Sequence, residues 1–291
     1  MDRPFLSVII ATRQRKRQLS RCLDSLTGQT YPQDQWELIV VHDGEDKESH
    51  LVVESFGSRL PIRNFQRPHA GCGIARNAGA AEALGEYLIF TDDDCLFPNN
   101  WLTRYDEAFR QDPSCMVAGS SLNWLPSNPY SQTTQAITDY LLGTSNTSPV
   151  DAGLALGNNM GVPAAAFLEL QGFSPRYYRT AAEDRDFCSR WKASGRRIIC
   201  DQSIIVFHGH ELTLRSFMKQ HYNYGCGSFL FHRLQADRAQ QALRLERPRF
   251  YISLLFYAHS ARVRILLLLS QVAHATGFVR GYLRFGRRAR A

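Results

Sequence analysis

The chain has 291 residues, 44% hydrophobic and 21% charged, enough for one large α/β domain with an appendage and too apolar for a disordered chain. Its formal net charge of +7 is uneven: residues 233–291 hold twelve arginines against two acids, leaving 22 basic against 25 acidic residues before them. The basicity belongs to a C-terminal segment, so it does not mark the main body as a nucleic-acid binder.

In chain order, FLSVIIA (5–11) reads as a buried strand. TRQRKR follows, then a helical stripe of Leu19, Cys22, Leu23 and Leu26 closed by Gly28. WELIVVH (36–42) is a second buried strand ending in Asp43-Gly44, and Leu51, Val52 and Phe56 line a short helix. IRNF (62–65) is a weaker strand, residues 73–85 are helical, and EYLIFT (86–91) is a third strong strand. Strands alternating with helices predict a mostly parallel sheet covered on both faces, whose ligands bind beyond the carboxyl ends of the strands. Thr12-Arg13, Asp43 and Asp92 to Asp94 fall at such ends. Residues 123–149, rich in Ser, Thr, Asn and Pro, predict a long loop or lid. Helices are expected over 163–173 and 183–195, and paired strands over 197–208. The seven cysteines are scattered, odd in number and without a CxxC pair, which argues for a reducing compartment. MDRPFLSVII is too short and too soon a strand to be a signal peptide.

The chemistry centres on FTDDDC (90–95). Three consecutive carboxylates after a buried strand are costly unless something positive meets them. A plain acidic turn is the bland explanation. A calcium EF-hand fails, since Phe97 stands at loop position six and Thr103 at position twelve. A hard divalent cation, Mg2+ or Mn2+, shared with phosphate oxygens fits carboxylates at i and i+2. There is no GxxxxGK, and Arg76 replaces the third glycine of a GxGxxG. Glu183-Asp184 can be a helix N-terminal charge pair or a general base. His208 and His210 end a strand, and with Cys226 they lack the further ligand spacing of a zinc site.

Five stretches resemble family 2 glycosyltransferases of GT-A fold, in the family's order: SVIIATRQRKRQLSRCLDSLTGQTYP, ELIVVHDG, AGCGIARNAGAAEALGEYLIFTDDDCLFPNNWL, ALGNNMGVPAAAFLELQGF and AAEDRDFCSRW, together spanning about residues 4 to 232. The resemblance implies a catalytic domain over 1–232, with a nucleotide-binding half to about residue 120 and an acceptor-side half over 121–232, followed by a helical segment over 233–291. It implies that Asp184 is the catalytic base, with Glu183 beside it. Thr12, Arg13, Asp43, Arg76, Asp92 and Asp93 would serve the nucleotide, although Asp93, as the middle acid, would not be a metal ligand. Asp94, Asp92 and His208 would hold Mn2+ or Mg2+, and Asn158, Asn159 and Arg190 would serve the acceptor or a phosphate. Cys95 stands where many relatives carry an acid, and His42 where Asp is common. The implied reaction is inverting transfer from a nucleoside-diphosphate sugar, UDP favoured, to a carbohydrate or lipid-linked hydroxyl, in surface polysaccharide or glycolipid synthesis. A nucleotidyl- or sugar-phosphate transferase, and a non-catalytic nucleotide-sugar-binding membrane scaffold, are the rivals.

The longest uncharged C-terminal run, Ile265 to Val279, is about 15 residues, short of the roughly 20 that cross a bilayer. One or two amphipathic helices lying in the membrane interface, arginines toward anionic headgroups, are expected. A helix pair packed on the catalytic domain or across a homodimer is the alternative. The expected location is cytoplasmic, peripheral at the inner face of the cell membrane, with no nucleic-acid partner.

Overall fold

The computed structural model describes residues 5–243, 248–257 and 260–286. Its first half alternates β1 (Leu6–Thr12), α1 (Lys16–Leu26), β2 (Trp36–Asp43), α2 (Lys47–Ser55), β3 (Ile62–Arg67), α3 (Cys72–Glu82) and β4 (Tyr87–Asp92). There follow β5 (Cys95–Leu96), α4 (Trp101–Gln111), β6 (Met116–Asn123), α5 (Pro129–Ser145), β7 (Asn159–Pro163), α6 (Ala164–Glu169), α7 (Glu183–Ala193) and β8 (Ile198–His208). Three helices close the chain: α8 (Leu214–Ala239), α9 (Pro248–Tyr257) and α10 (Ala261–Phe285).

Eight strands form one sheet in the order β3-β2-β1-β4-β7-β6-β8-β5. The first four are mutually parallel, and β7 runs antiparallel between β4 and β6. Apolar runs become central strands because both their faces are covered: every residue of β2 is buried. One cluster packs the α1, α2 and α4 side around Leu19, Leu23, Trp36 and Trp101, and another packs the α3, α6 and α7 side around Phe90, Phe167, Phe173 and Trp191.

Three sequence expectations are corrected here. The loop or lid over 123–149 is largely the helix α5, capped by Asn128, whose side chain accepts from the backbone N–H of Tyr130 and Ser131. Its fully buried positions are Ser131, Thr133 and Thr134, while Ile137, Tyr140 and Leu142 further along pack against the core as partly buried residues. The paired strands over 197–208 are one strand, β8, which runs parallel to β6 with a register break between Gly119 and Ser120. On α2 the inward residues are Ser49 and Val53, with Phe56 just beyond, while Leu51 is 65% exposed.

The division at residue 232 lies inside α8, and α10 lies along that helix. A Cβ on Gly225 would strike the carbonyl of His274, and one on Gly277 the carbonyl of Tyr222, so only glycines allow the two backbones to approach this closely. The other face of α10 is exposed and apolar: Ile265, Leu268, Val272, Val279, Tyr282 and Leu283. Among the described residues, no helix is long and apolar enough to cross a membrane.

Candidate active site

The parallel strands deliver their polar ends to one rim. Thr12 pairs in register with His42, Ala11 with Asp92, and Asp43 with Arg67. The acidic triplet turns between β4 and the two-residue β5, and β5 pairs antiparallel with β8, setting Cys95 opposite His208. That short ladder brings a histidine 114 residues away against Asp94: Nε2 of His208 lies 2.9 Å from Oδ1 of Asp94 and 3.8 Å from Oδ2 of Asp92. Asn158 lies against the other ring nitrogen at 3.0 Å.

The three carboxylates have different partners. Asp93 accepts from Thr12 Oγ1 at 2.7 Å and from Arg15 Nη1 at 3.0 Å, so it faces the β1 rim. Asp94 accepts from the same Arg15 nitrogen at 3.0 Å. Asp92 accepts from Arg76 Nη2 and is the most open of the three side chains. Burial alone would push Asp94 up, but His208, His210 and Arg15 outweigh it and hold the carboxyl well below the usual range. For Asp93 burial wins over Arg15 and the group is raised. Burial pulls His208 down, yet Asp94 and Asp92 more than offset it, and the imidazole is raised.

Arg76 is buried and links two ends of the site, with Nη1 3.2 Å from Oε1 of Glu183 while Nη2 holds Asp92. Glu183 is raised by burial and by Asp184, against Arg76. Asp184 is fixed by backbone donors: the N–H of Gly157 reaches Oδ2 at 3.1 Å and that of Arg185 reaches Oδ1 at 2.7 Å. It follows Ala182, which caps α7 at φ 75°, a left-handed conformation costing a non-glycine residue on the order of 1 kcal/mol. Close packing supports that turn, since a Cβ on Gly227 of α8 would strike the carbonyl of Ala181.

Two adjoining cavities meet here. One, about 260 Å³, is lined by Arg76, Asp92, Asn158, Glu183, Asp184, His208 and His210. The other, about 760 Å³, is basic, with Arg13, Arg15, His69, Arg179 and Lys219 in its wall beside Asp94. The donor atoms of Asp94, Cys95 and His208 all lie within 4.8 Å of one another. Burial holds the Cys95 thiol protonated. Asp92, Asp94 and His208 are the residues here that could hold a divalent cation, the carboxylates suiting a hard ion and the imidazole a softer one.

Several expected residues lie elsewhere. Arg190 is not at a phosphate or acceptor position: its Nε holds Asp186 at 2.9 Å, and Nη1 donates to the carbonyl of Leu170 and Nη2 to that of Gly172. Asn159 is fully buried and holds the sheet to α4, accepting from Trp101 Nε1 and Tyr105 OH and donating to the carbonyls of Ser120 and Ile204. Asn159→Ala should therefore cost about 3 kcal/mol of stability by stranding buried donors. The check is thermal melting, alongside ligand affinity per folded molecule, which should not change. Asp43 lines neither cavity; it accepts from the N–H of Ala70 at 2.8 Å and of Gly71 at 2.9 Å and touches His69 at 2.7 Å. Sequence reasoning missed Arg15, two residues beyond Arg13 in the same basic loop; nothing in TRQRKR says which arginine turns inward.

The model of glycosyl transferase family 2 matches residues 7–155, and that of glycosyl transferase family group 2 matches residues 88–284. The chain belongs to glycosyl transferase family 2. The glycosyltransferase AglE of Haloferax volcanii is 32% identical over 106 residues, 35% of this chain and 34% of that one. The glucosyl-dolichyl phosphate glucuronosyltransferase of the same organism is 22% identical over 218 residues, 70% of this chain and 68% of the relative. The chain spans about a third or less of the first curated relatives it matches. Among solved structures, the mannosyltransferase PcManGT of Pyrobaculum calidifontis, in complex with GDP-Man and Mn2+, superposes with a TM-score of 0.66 at 17% identity, covering 94% of this chain and 74% of that one. The shared fold is GT-A.

Proposed function

We propose that this protein is a metal-dependent, inverting glycosyltransferase that moves a sugar from a nucleoside diphosphate to an acceptor hydroxyl. The observation that carries the reading is that Asp92 and His208 line the same 260 Å³ cavity as Asp184. One wall can meet a cation and a diphosphate, and the other offers a carboxylate to an attacking hydroxyl.

Asp92, Asp94 and His208 would hold a divalent cation, Mn2+ or Mg2+, which would supply positive charge to the departing diphosphate. Arg13, Arg15, Arg179 and Lys219 give the adjoining cavity the charge that attracts the nucleotide. Asp43, through its bonds to Ala70, Gly71 and His69, shapes the loop against which the base rests. Asp184 accepts the proton of the acceptor hydroxyl as its oxygen bonds to the anomeric carbon. The bond from that carbon to the phosphate oxygen breaks, and its electron pair leaves with the nucleoside diphosphate. The two backbone N–H groups on Asp184 fix the carboxylate's direction, and attack from the face opposite the leaving group inverts the anomeric centre. Glu183, held by Arg76, positions the start of α7.

The exposed apolar face of α10 runs beside Arg262, Arg264, Arg280 and Arg284, a combination that supports docking in an anionic membrane interface. The relative named for a dolichyl-phosphate substrate supports a glycolipid role. The test is release of nucleoside diphosphate from UDP-, GDP- and dTDP-sugars with Mn2+, followed by NMR of the product anomer. Inversion supports the reading, and retention would remove the single-step role of Asp184. A sugar-phosphate transferase would keep phosphate on the transferred sugar and release a nucleoside monophosphate, and a nucleotidyltransferase would transfer the nucleoside monophosphate itself. A non-catalytic scaffold would release nothing with any metal.

A further inference from the structure

A third cavity, about 240 Å³, lies between α5, α8, α9 and α10 and has Asp184 in its lining. Its far walls are Ile137 and Leu141 of α5, Leu254 of α9, and Leu154 and Leu156 of the segment before β7. At its near end Asp184 and Arg185 open α7. His221 and His274 also line it, and burial lowers them to about 3 and about 4, so both are neutral near pH 7. Thr134, Thr138, Tyr224, Ser228 and Gln271 add uncharged polar groups to the lining, so its charge sits on Asp184 and Arg185 of α7, which suits an amphiphile with its headgroup there.

Two of the helices that wall the cavity, α9 and α10, also carry exposed apolar side chains, Phe256 at 78% and Val272 at 63%, on other faces than the lining residues Leu254 and Gln271. A soluble sugar acceptor would leave this lining bare.

We propose that this cavity holds the first part of the hydrocarbon chain of a lipid-linked acceptor, with the carrier's phosphate near Arg185 and its sugar hydroxyl at Asp184. The assignment rests on the transferase reading of the site, and it names the class of acceptor that reading leaves open.

The test is calorimetric titration of the full chain with butyl, octyl and dodecyl phosphate below their micelle concentrations. Each methylene that enters the cavity should strengthen binding about fourfold, up to the length the cavity holds. Leu141→Trp, which fills the cavity from α5, should weaken the dodecyl probe at least about tenfold, the equivalent of roughly two methylenes. Thr138→Phe, at the junction with the cavity holding Asp92, should do the same and serves where Leu141→Trp fails to fold. Flotation with anionic vesicles should be unchanged in both variants, which separates the cavity from the exposed face. A flat chain-length series in the unaltered protein overturns the proposal, as does dodecyl binding that both folded variants retain. Nucleotide-sugar release is measured in parallel: its failure alone sinks the transferase reading, and loss of chain-dependent binding alone sinks this one.

Discussion

Asp184→Asn should lower the rate of sugar transfer by about 10²- to 10⁴-fold, the range for loss of a general base, while leaving donor affinity unchanged. The amide keeps the size of the carboxylate and its carbonyl oxygen can still accept from the N–H of Gly157. What it loses is the capacity to take a proton, together with the acceptor for the N–H of Arg185. Glu183→Gln separates the two neighbours. Glu183 is buried, raised and tied to Arg76, so its loss should act through the geometry of Arg76 and α7 and show a smaller fall in turnover. Measuring turnover and donor affinity on both variants decides the matter. Equal falls, or a larger fall for Glu183→Gln, would move the base to Glu183.

Asp94→Ala should abolish divalent-cation binding and the activity that depends on it, and it should also destabilise the fold. Asp94 holds His208 and shares Arg15 with Asp93, so its removal takes from the buried imidazole the carboxylate that raises it and leaves Arg15 on Asp93 alone. Losing a buried hydrogen-bond partner of this kind costs about 1–3 kcal/mol. Asp93→Ala removes a group that faces Thr12 and Arg15, so it should cost stability but spare Mn2+ affinity. Titrating Mn2+ by electron paramagnetic resonance on folded protein reads the metal directly. Loss of Mn2+ binding in Asp93→Ala with retention in Asp94→Ala would reverse the assignment.

The parallel half of the sheet was legible because β1, β2 and β4 are buried on both faces and read as unbroken apolar runs, with polar residues where each run ends. The acidic triplet was legible for a related reason: charge straight after a buried strand demands partners. Of those partners, the family resemblance named His208, whereas Arg15 was not legible. His208 reaches Asp94 through a two-residue strand, β5, too short to leave a pattern. Arg190 and Asn159 occupy motif positions, yet their polar groups are consumed within the fold, and a motif does not show whether its polar residues face a cavity or a core. The helix α5 was read as a loop because its first turns pack through Ser131, Thr133 and Thr134, and its packed apolar residues, Ile137, Tyr140 and Leu142, come only in its second half. The phase error on α2 has a similar origin, since Ser49 points inward and Leu51 outward.

Melting of the unaltered protein with Mn2+ and each of UDP-, GDP- and dTDP-sugars tests the joint metal and donor site most directly. One donor at about a hundred times its dissociation constant should add about 2.7 kcal/mol and raise the melting temperature by several degrees, with Mn2+ present and not without it. Melting that no nucleotide sugar shifts, at any Mn2+ concentration, would contradict the assignment of Asp92, Asp94 and His208 to a donor-bound cation.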